Sequence, residues 1–372
     1  MVRLNRYELS QVCLRLSSGK NIRAEFVQKA GRYPVYGGNG LRGYTDRANF
    51  EGDCAIIGRQ GAFCGNVRYF SGSAYMTEHA VVVCANEKSD TKYLAYLLST
   101  MNLGRLSGQS AQPGLSVQTL AKQVVDLPSL PKQVEIGGTL RALDEKIANN
   151  SKINHHLEQM TQTVFDRLFI EESAGEPLGM LSDIAEINPL RSISKGEEAL
   201  YIEMANLPTS GSFPVNWTTR PFSGGMKFQN GDTIMARITP CLENGKTAYI
   251  NFLGEDEVAF GSTEYIVIAP KQGYCSEMFY FLARNQDFVS YAVKNMNGSS
   301  GRQRVSGDSI GAYELRIPPM ENVDEFAQTA QPVMETIAHN ALESRRLAIL
   351  RDTLLPRLMS GELSVADLGD AK

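Results

Sequence analysis

Side chains able to recognise nucleic-acid bases are concentrated in a short polar loop, NGSSGRQRVS, at residues 297–306. Bases are read chiefly by Arg, Lys, Asn and Gln, because these side chains offer paired hydrogen-bonding groups that match a base edge. The loop supplies Arg302, Gln303 and Arg304, and Ser299 and Ser300 are suited to phosphate contacts. It therefore predicts a nucleic-acid contact; the alternative is an ordinary solvated connection.

A second loop of the same kind, SGQSAQPGLS at residues 107–116, lies 190 positions earlier and supplies Gln109 and Gln112. A single polar loop is more simply a connection, but two at matching places favour a binding role. The neighbourhood of the later loop has a local charge of +3, from Arg284, Lys294, Arg302 and Arg304 against Asp287. This charge offsets the acidic average of its domain.

Three glycine-rich turns are further candidates, although such turns are also common as plain connections. They are YPVYGGNGLRGY (33–44), GRQGAFCGN (58–66) and ARITPCLENGK (236–246). Their candidate DNA-contacting residues are Asn39, Arg42, Arg59, Gln60, Asn66, Arg237, Asn244 and Lys246.

Motifs for catalysis do not accompany these loops. The sequence contains no [DNS]PP[YFW] adenine-methyltransferase motif, and PCLENGKT at 240–247 departs from the phosphate-binding pattern GxxxxGK[ST] because Pro240 replaces its first glycine. The strand-like AYINF follows it, where that motif requires a helix. The four histidines do not pair with cysteines at ligand spacing. We therefore expect no catalytic residues, no metal and no cofactor in this chain.

Charge and apolar content narrow the class of protein. The net charge is −4, but residues 1–130 carry 15 Lys and Arg against 9 Asp and Glu, so the first third is basic. Six cysteines without CxxC spacing predict buried free thiols in a reducing cytoplasm. No apolar run approaches the roughly 18 residues of a membrane helix, and the start does not resemble a signal peptide. We expect a cytoplasmic protein without a membrane segment.

The chain contains an internal repeat that positions the loops. GDCAIIGRQG (52–61) resembles GDTIMARITP (231–240), and TEHAVVV (77–83) resembles TEYIVIA (263–269). From the twin loops onward the offset is constant at 190, as in IANN (147–150) and IAHN (337–340). Each copy is expected to contain short strands, a short helix with Asp90 or Ser276 as N-cap, the polar loop and one long helix.

Both long helices carry a heptad pattern. The positions are Ile136, Leu140, Leu143, Ile147, Asn150, Asn154, Leu157, Thr161, Val164 and Leu168, and then Phe326, Ala330, Val333, Ile337, Asn340, Ser344, Leu347, Arg351, Leu354 and Leu358. Polar residues stand at matching places, which predicts that the helices pair and that these residues set their register. The alternative is two unrelated core helices. Pro332 and Pro356 should perturb the second helix.

The predicted fold class is therefore α+β, with two similar domains separated by two long antiparallel helices that form a coiled coil with pseudo-two-fold symmetry. The expected segments are domain 1 at 1–130, helix 1 at 131–175, domain 2 at 176–320, and helix 2 with the tail at 321–372.

With these features, the chain resembles the specificity subunit of type I restriction–modification enzymes. The resemblance rests on PVYGGNGLRGY, SAQPGLS, SSGRQRVS, LPKQVEIGGTLRALDEKI and LLPRLMSGEL. LGMLSDIAEINP at 178–189 is similar to the usual start of a second domain, whereas YELSQVCLRLSSG near the N-terminus follows the family pattern only loosely.

The resemblance implies that each domain, with a curved β-sheet and helices, is a target-recognition domain for one half of a bipartite, asymmetric double-stranded DNA sequence. It implies that the helices set the gap between the halves. The implied partners are two modification subunits, which bind S-adenosylmethionine and methylate adenine, and restriction subunits, which use ATP and Mg²⁺. The specificity subunit itself would be non-catalytic. Two alternatives are a self-sufficient methyltransferase or nuclease, and a protein–protein adaptor, with which the pI of about 5.7 agrees.

Overall fold

The computed structural model describes residues 4–107, 114–299 and 301–369. The chain divides into two compact units, unit 1 with residues 1–146 and 346–372 and unit 2 with residues 147–345. Both boundaries fall inside long helices. Within the described ranges, every helix is too short or too polar to cross a membrane.

The described part of unit 1 begins with eight strands and two short helices. The strands are β1 (Asn5–Glu8), β2 (Cys13–Ser18), β3 (Tyr33–Gly37), β4 (Gly40–Thr45), β5 (Phe50–Gly58), β6 (Val67–Met76), β7 (Ala80–Ala85) and β8 (Val124–Leu127). The helices are α1 (Thr91–Thr100) and α2 (Val117–Ala121). Six strands form one sheet in the order β2-β7-β5-β6-β3-β4, and β1 pairs with β8. The sheet packs on α1 through an apolar core that includes Ile57, Val83 and Leu94.

The first long helix, α3, spans Leu130–Asp166. It ends before the expected residue 175, because the chain changes to a π-helical turn at Arg167–Glu171 and a 3-10 turn at Glu172–Gly175.

Unit 2 continues with ten strands and four short helices. The strands are β9 (Leu178–Met180), β10 (Ala185–Ile187), β11 (Glu198–Ile202), β12 (Thr218–Pro221), β13 (Met226–Phe228), β14 (Thr233–Ala236), β15 (Thr247–Tyr249), β16 (Ala259–Gly261), β17 (Tyr265–Pro270) and β18 (Glu314–Arg316). The helices are α4 (Leu181–Ile184), α5 (Glu277–Arg284), α6 (Gln286–Lys294) and α7 (Gly307–Gly311). The sheets have the orders β10-β17-β14-β15, β12-β11-β16-β13 and β18-β9.

The second long helix, α8, spans Met320–Met359 and is followed by the short α9 (Val365–Gly369). Neither Pro332 nor Pro356 ends it. The tail turns at Gly361, whose φ of 74° favours glycine.

The predicted seam between the helices is confirmed. All twenty heptad positions are among the described residues, and each is buried or half-buried. In unit 2 the pairing is antiparallel, since Asn154 donates to the Ile337 carbonyl at 3.1 Å while Asn150, earlier in the chain, donates to the later Asn340 carbonyl at 3.2 Å. In unit 1, Arg351 donates to Asp144 at 2.6 Å.

Replacing Asn150 by alanine should lower the free energy of unfolding by about 2 kcal/mol, because the Nδ2 group loses bonds to Glu343 and Ser344 as well as to the Asn340 carbonyl. The measurement is urea unfolding. Ser151→Ala is the control, because among the described residues that exposed hydroxyl bonds only the Ile147 carbonyl of its own helix. Equal unfolding midpoints for the two variants would contradict a structural role for the polar layer.

The two units begin alike, although their sequences there differ. Gln11 accepts a bond from the Glu8 amide at 2.9 Å, and Asp183 accepts one from the Met180 amide at 2.7 Å. Each of these hydrogen-bonded turns follows a strand that pairs with the last described strand of its unit, β8 or β18. Gln and Asp serve equally as acceptors, so the N-terminal YELSQVC, which follows the family pattern only loosely, begins its unit with the same local structure as the start of the second unit.

The structure corrects two predictions, the N-cap role of Ser276 and the burial of all the cysteines. Asp90 caps α1 as predicted, accepting from the Tyr93 amide at 2.8 Å, but the Ser276 side chain makes no cap bond and instead contacts the Tyr249 hydroxyl at 2.7 Å.

All six cysteines are free, yet only Cys54 is fully buried. Burial nonetheless raises the pKa of both Cys13 and Cys54 to about 12, so these thiols stay protonated at neutral pH.

Candidate nucleic-acid interface

In unit 1, the polar loop is joined to the turn that follows β5. The Leu115 amide donates to the Arg59 carbonyl at 2.9 Å, and Gln60 forms a β-bridge with Gly114. Ser116 then caps α2 by accepting from the Thr119 amide at 3.0 Å. Two stretches that are 54 to 56 residues apart in sequence are therefore neighbours.

Unit 2 repeats this arrangement at the predicted offset. The Val305 amide donates to the Arg237 carbonyl at 3.0 Å, and Ile238 forms a β-bridge with Arg304. Ser306 caps α7 by accepting from the Ser309 amide at 2.9 Å. Leu115 and Val305, like Ser116 and Ser306, are 190 residues apart, so the twin loops have the same place in each unit.

The loop of unit 2 is a tight hairpin. Asn297 and Arg304 exchange both main-chain hydrogen bonds at 2.9 Å, and the Arg302 amide donates to the Ser299 carbonyl at 3.0 Å. Gly298 has a φ of 130° and Gly301 a φ of 80°, values that side chains disfavour. The tip exposes Ser299, Arg302 and Gln303. Ser300, like Gln109 and Gln112 in the other loop, lies outside the described residues.

The two arginines of this loop differ in their surroundings. Arg304 forms a salt bridge with Glu264, with Nε 2.9 Å from both carboxylate oxygens and Nη2 2.6 Å from Oε1. Hydrogen bonding from Arg304 lowers the pKa of the Glu264 carboxyl. Arg302 is exposed, and its guanidinium forms no hydrogen bond or ion pair with any described residue. Arg302 is thus the one poised for an outside ligand.

In unit 1, three predicted residues, from the β3–β4 hairpin and from the turn after β5, line one cleft. Asn39, Arg42 and Gln60, all exposed, surround a surface cavity of about 360 Å³ together with His79. Asn39 lies in the turn between β3 and β4, which lies close to the turn after β5 although β6 separates β3 from β5 in the sheet. This groups an amide, a guanidinium and a second amide, the types of side chain that recognise base edges.

Arg59 and Asn66 do not line this cleft. Arg59 is half-buried, and its Nη1 lies 3.4 Å from the Ser18 hydroxyl. Asn66 is exposed beside Arg68, Ser99 and Asn102, around a separate cavity of about 520 Å³.

The glycine-rich turn of unit 2 offers less than its sequence indicates. Asn244 is exposed, but the Lys246 ammonium donates to the Met204 carbonyl at 2.6 Å, and Arg237 is half-buried. Arg284 is directed at main-chain carbonyls, including those of Gly211 at 2.6 Å and Gly245 at 2.7 Å.

The local charge of +3 around this loop is therefore an overestimate of what faces a ligand. Arg284 faces carbonyls and Arg304 faces Glu264, which leaves Lys294 and Arg302 as the exposed cations of that set.

Two residues at the site were not predicted. Glu264 contacts the polar loop, and His79 lines the cleft of unit 1. A signal was available, because the repeated TE of TEHAVVV and TEYIVIA places Glu78 and Glu264 at matching positions. Among the described residues, no three His, Cys, Asp or Glu side chains are grouped to hold a metal.

Comparisons with known proteins agree with this architecture. Residues 1–159 match the type I restriction modification DNA specificity domain. The chain is 37% identical over 135 residues to the EcoprrI specificity subunit of Escherichia coli, covering 35% of this chain and 34% of that relative, about a third of its length. It is 22% identical over 311 residues to the MjaIX specificity subunit of Methanocaldococcus jannaschii, covering 75% of this chain and 70% of the relative.

A crystal structure of a type I restriction–modification S subunit from M. genitalium has the same fold, with a TM-score of 0.68 at 15% identity over 96% of each chain. The domain match covers most of the first copy of the repeat, and the longer match to the MjaIX subunit extends the similarity into the second copy. The sequence, the repeat and the fold are thus all similar to those of type I restriction–modification specificity subunits.

Proposed function

We propose that this chain is the DNA-recognition subunit of a type I restriction–modification enzyme. Each unit would read one half of a bipartite double-stranded target in the cytoplasm, where the cell's DNA lies. The observation that carries the proposal is the twin arrangement of a polar loop joined to the turn after a central strand, through Leu115 and Arg59 in one unit and Val305 and Arg237 in the other.

The chemistry of the exposed residues supports direct contact with bases. Arg302 and Gln303 at one tip, and Asn39, Arg42 and Gln60 around one cleft, carry the donor and acceptor pairs that distinguish base pairs in the major groove. Lys246 and Arg304 are engaged with protein groups and fit a framework role better. We assign base reading to the first group and loop support to the second.

The proposed partners would carry out methylation and DNA cleavage, reactions for which the sequence of this chain contains no motif. Two modification subunits would bind S-adenosylmethionine and methylate adenine, and restriction subunits would bind ATP and Mg²⁺ and cut. This chain would be the non-catalytic scaffold that fixes where they act, and the paired α3 and α8 would set the distance between half-sites.

The isolated chain should bind DNA weakly and select sequence poorly, and both should improve with the modification subunits, because only the first 130 residues are strongly basic. The measurement is binding to duplexes with and without the target at several salt concentrations. Affinity should fall steeply with salt in either case. Salt-independent binding would exclude phosphate contacts and favour a protein adaptor, and full selectivity of the chain alone would contradict the role given to the partners.

A further inference from the structure

The salt bridge between Glu264 and Arg304 joins the polar loop of unit 2 to its sheet. Glu264 lies just before β17, and Arg304 closes the hairpin that carries Arg302 and Gln303. Both carboxylate oxygens are used, and the side chains are only partly exposed, 25% for Glu264 and 39% for Arg304. Two-oxygen pairing of this kind fixes orientation as well as distance.

Unit 1 has the carboxylate at the matching place without the arginine. Glu78 precedes β7 as Glu264 precedes β17, but the residue 190 positions before Arg304 is Gly114. Glu78 instead lies 3.1 Å from the Nε2 of its neighbour His79. Among the described residues, the arginine–carboxylate bridge at this place is thus found in the second copy of the repeat and not in the first, which favours a role in what the second copy recognises.

We propose that Glu264 is a positioning residue that sets the selectivity of unit 2 for its DNA half-site. Its carboxylate holds Arg304 against the sheet, which fixes the tip bearing Arg302 and Gln303 and keeps the Arg304 guanidinium from phosphates. The inference rests on the proposed DNA-recognition function.

The physical basis is a competition between two anions. A guanidinium pairs with a phosphate as readily as with a carboxylate, in the same two-pronged geometry. A phosphate contact is available on every sequence, so a released Arg304 would strengthen binding to all DNA equally. Glu264 therefore lowers general affinity and raises the relative contribution of base contacts.

Glu264→Gln tests this, because it keeps the shape of the side chain and removes its charge. In the assembled complex with modification subunits, affinity for non-target DNA should rise, and the slope of log affinity against log salt should steepen by about 0.9, the value for one added phosphate contact. Discrimination against DNA with a scrambled second half-site should fall about fivefold, the effect of losing one well-aligned, partly exposed ion pair. Discrimination at the first half-site should stay unchanged.

Glu78→Gln is the matched control, since it removes the same charge at the matching place and releases no arginine. It should leave the salt slope unchanged. The double variant Glu264→Gln with Arg304→Gln should return the salt slope to the wild-type value while selectivity stays low, because the tip is still unanchored.

Two results would overturn the inference: a Glu264→Gln complex with wild-type slope and selectivity, or a Glu78→Gln complex whose slope steepens as much. Either result is compatible with a wild-type complex that selects its target normally. The proposed function would then still hold. A wild-type complex that does not distinguish target from scrambled DNA would instead refute the proposed function itself.

Discussion

Inserting seven residues into each long helix, after Lys146 in α3 and after Arg345 in α8, should lengthen the gap between the two DNA half-sites by about three base pairs. Both insertion points lie where the units divide. Seven helical residues add about 10.5 Å, and base pairs are about 3.4 Å apart. A whole heptad keeps the seam in phase, so the contacts of Asn154 with Ile337 and of Asp144 with Arg351 are preserved.

The readout is the modified sequence in cells that express the variant with its modification subunit. The bases of each half-site should be unchanged, because the polar loops are untouched. A four-residue insertion serves as the control, since it rotates the seam residues away from their partners and should abolish modification. If the heptad variant still modifies the wild-type sequence with the wild-type gap, the long helices do not set the distance between the half-sites.

Arg302→Ala should weaken binding to the half-site read by unit 2 by about 1–3 kcal/mol, the cost of losing a two-pronged contact to a guanine. We expect an effect of this size because the Arg302 guanidinium is exposed and has no partner among the described residues. The measurement is binding of the assembled complex to duplexes in which each half-site is scrambled in turn, so that the half read by unit 1 is the internal control.

Arg302→Lys separates base reading from phosphate binding. Lysine keeps the charge and loses the planar fork, so selectivity should fall nearly as far as in Arg302→Ala while the salt slope stays near the wild-type value. If both half-sites weaken alike in Arg302→Ala, this residue contacts the DNA backbone and not a base.

Regular features of the sequence predicted most of the fold. The heptads located the two helices and the buried Asn150, because the seam period is a local property of the chain. The constant offset of 190 located the twin loops, whose equivalent bonds at Leu115 and Val305 confirm it. The bounds were less accurate, since the π-helical turn at Arg167–Glu171 has no comparable signal.

The side-chain partners within the site could not be predicted. Arg302 and Arg304 are two residues apart and alike in sequence, yet one is exposed and the other is paired with a carboxylate 40 positions earlier. Lys246 and Ser276 likewise bond to groups that only the folded sheet brings near. Such choices depend on long-range strand register, which composition and spacing do not specify.

Sequencing the methylated bases of a methylation-free host that expresses this chain with its modification subunit tests the central claim most directly. The account predicts one asymmetric motif in two parts, separated by a gap of constant length and arbitrary sequence, with a modified adenine in each part. A single uninterrupted motif, or two parts at variable distance, would contradict the assignment of one half-site to each unit.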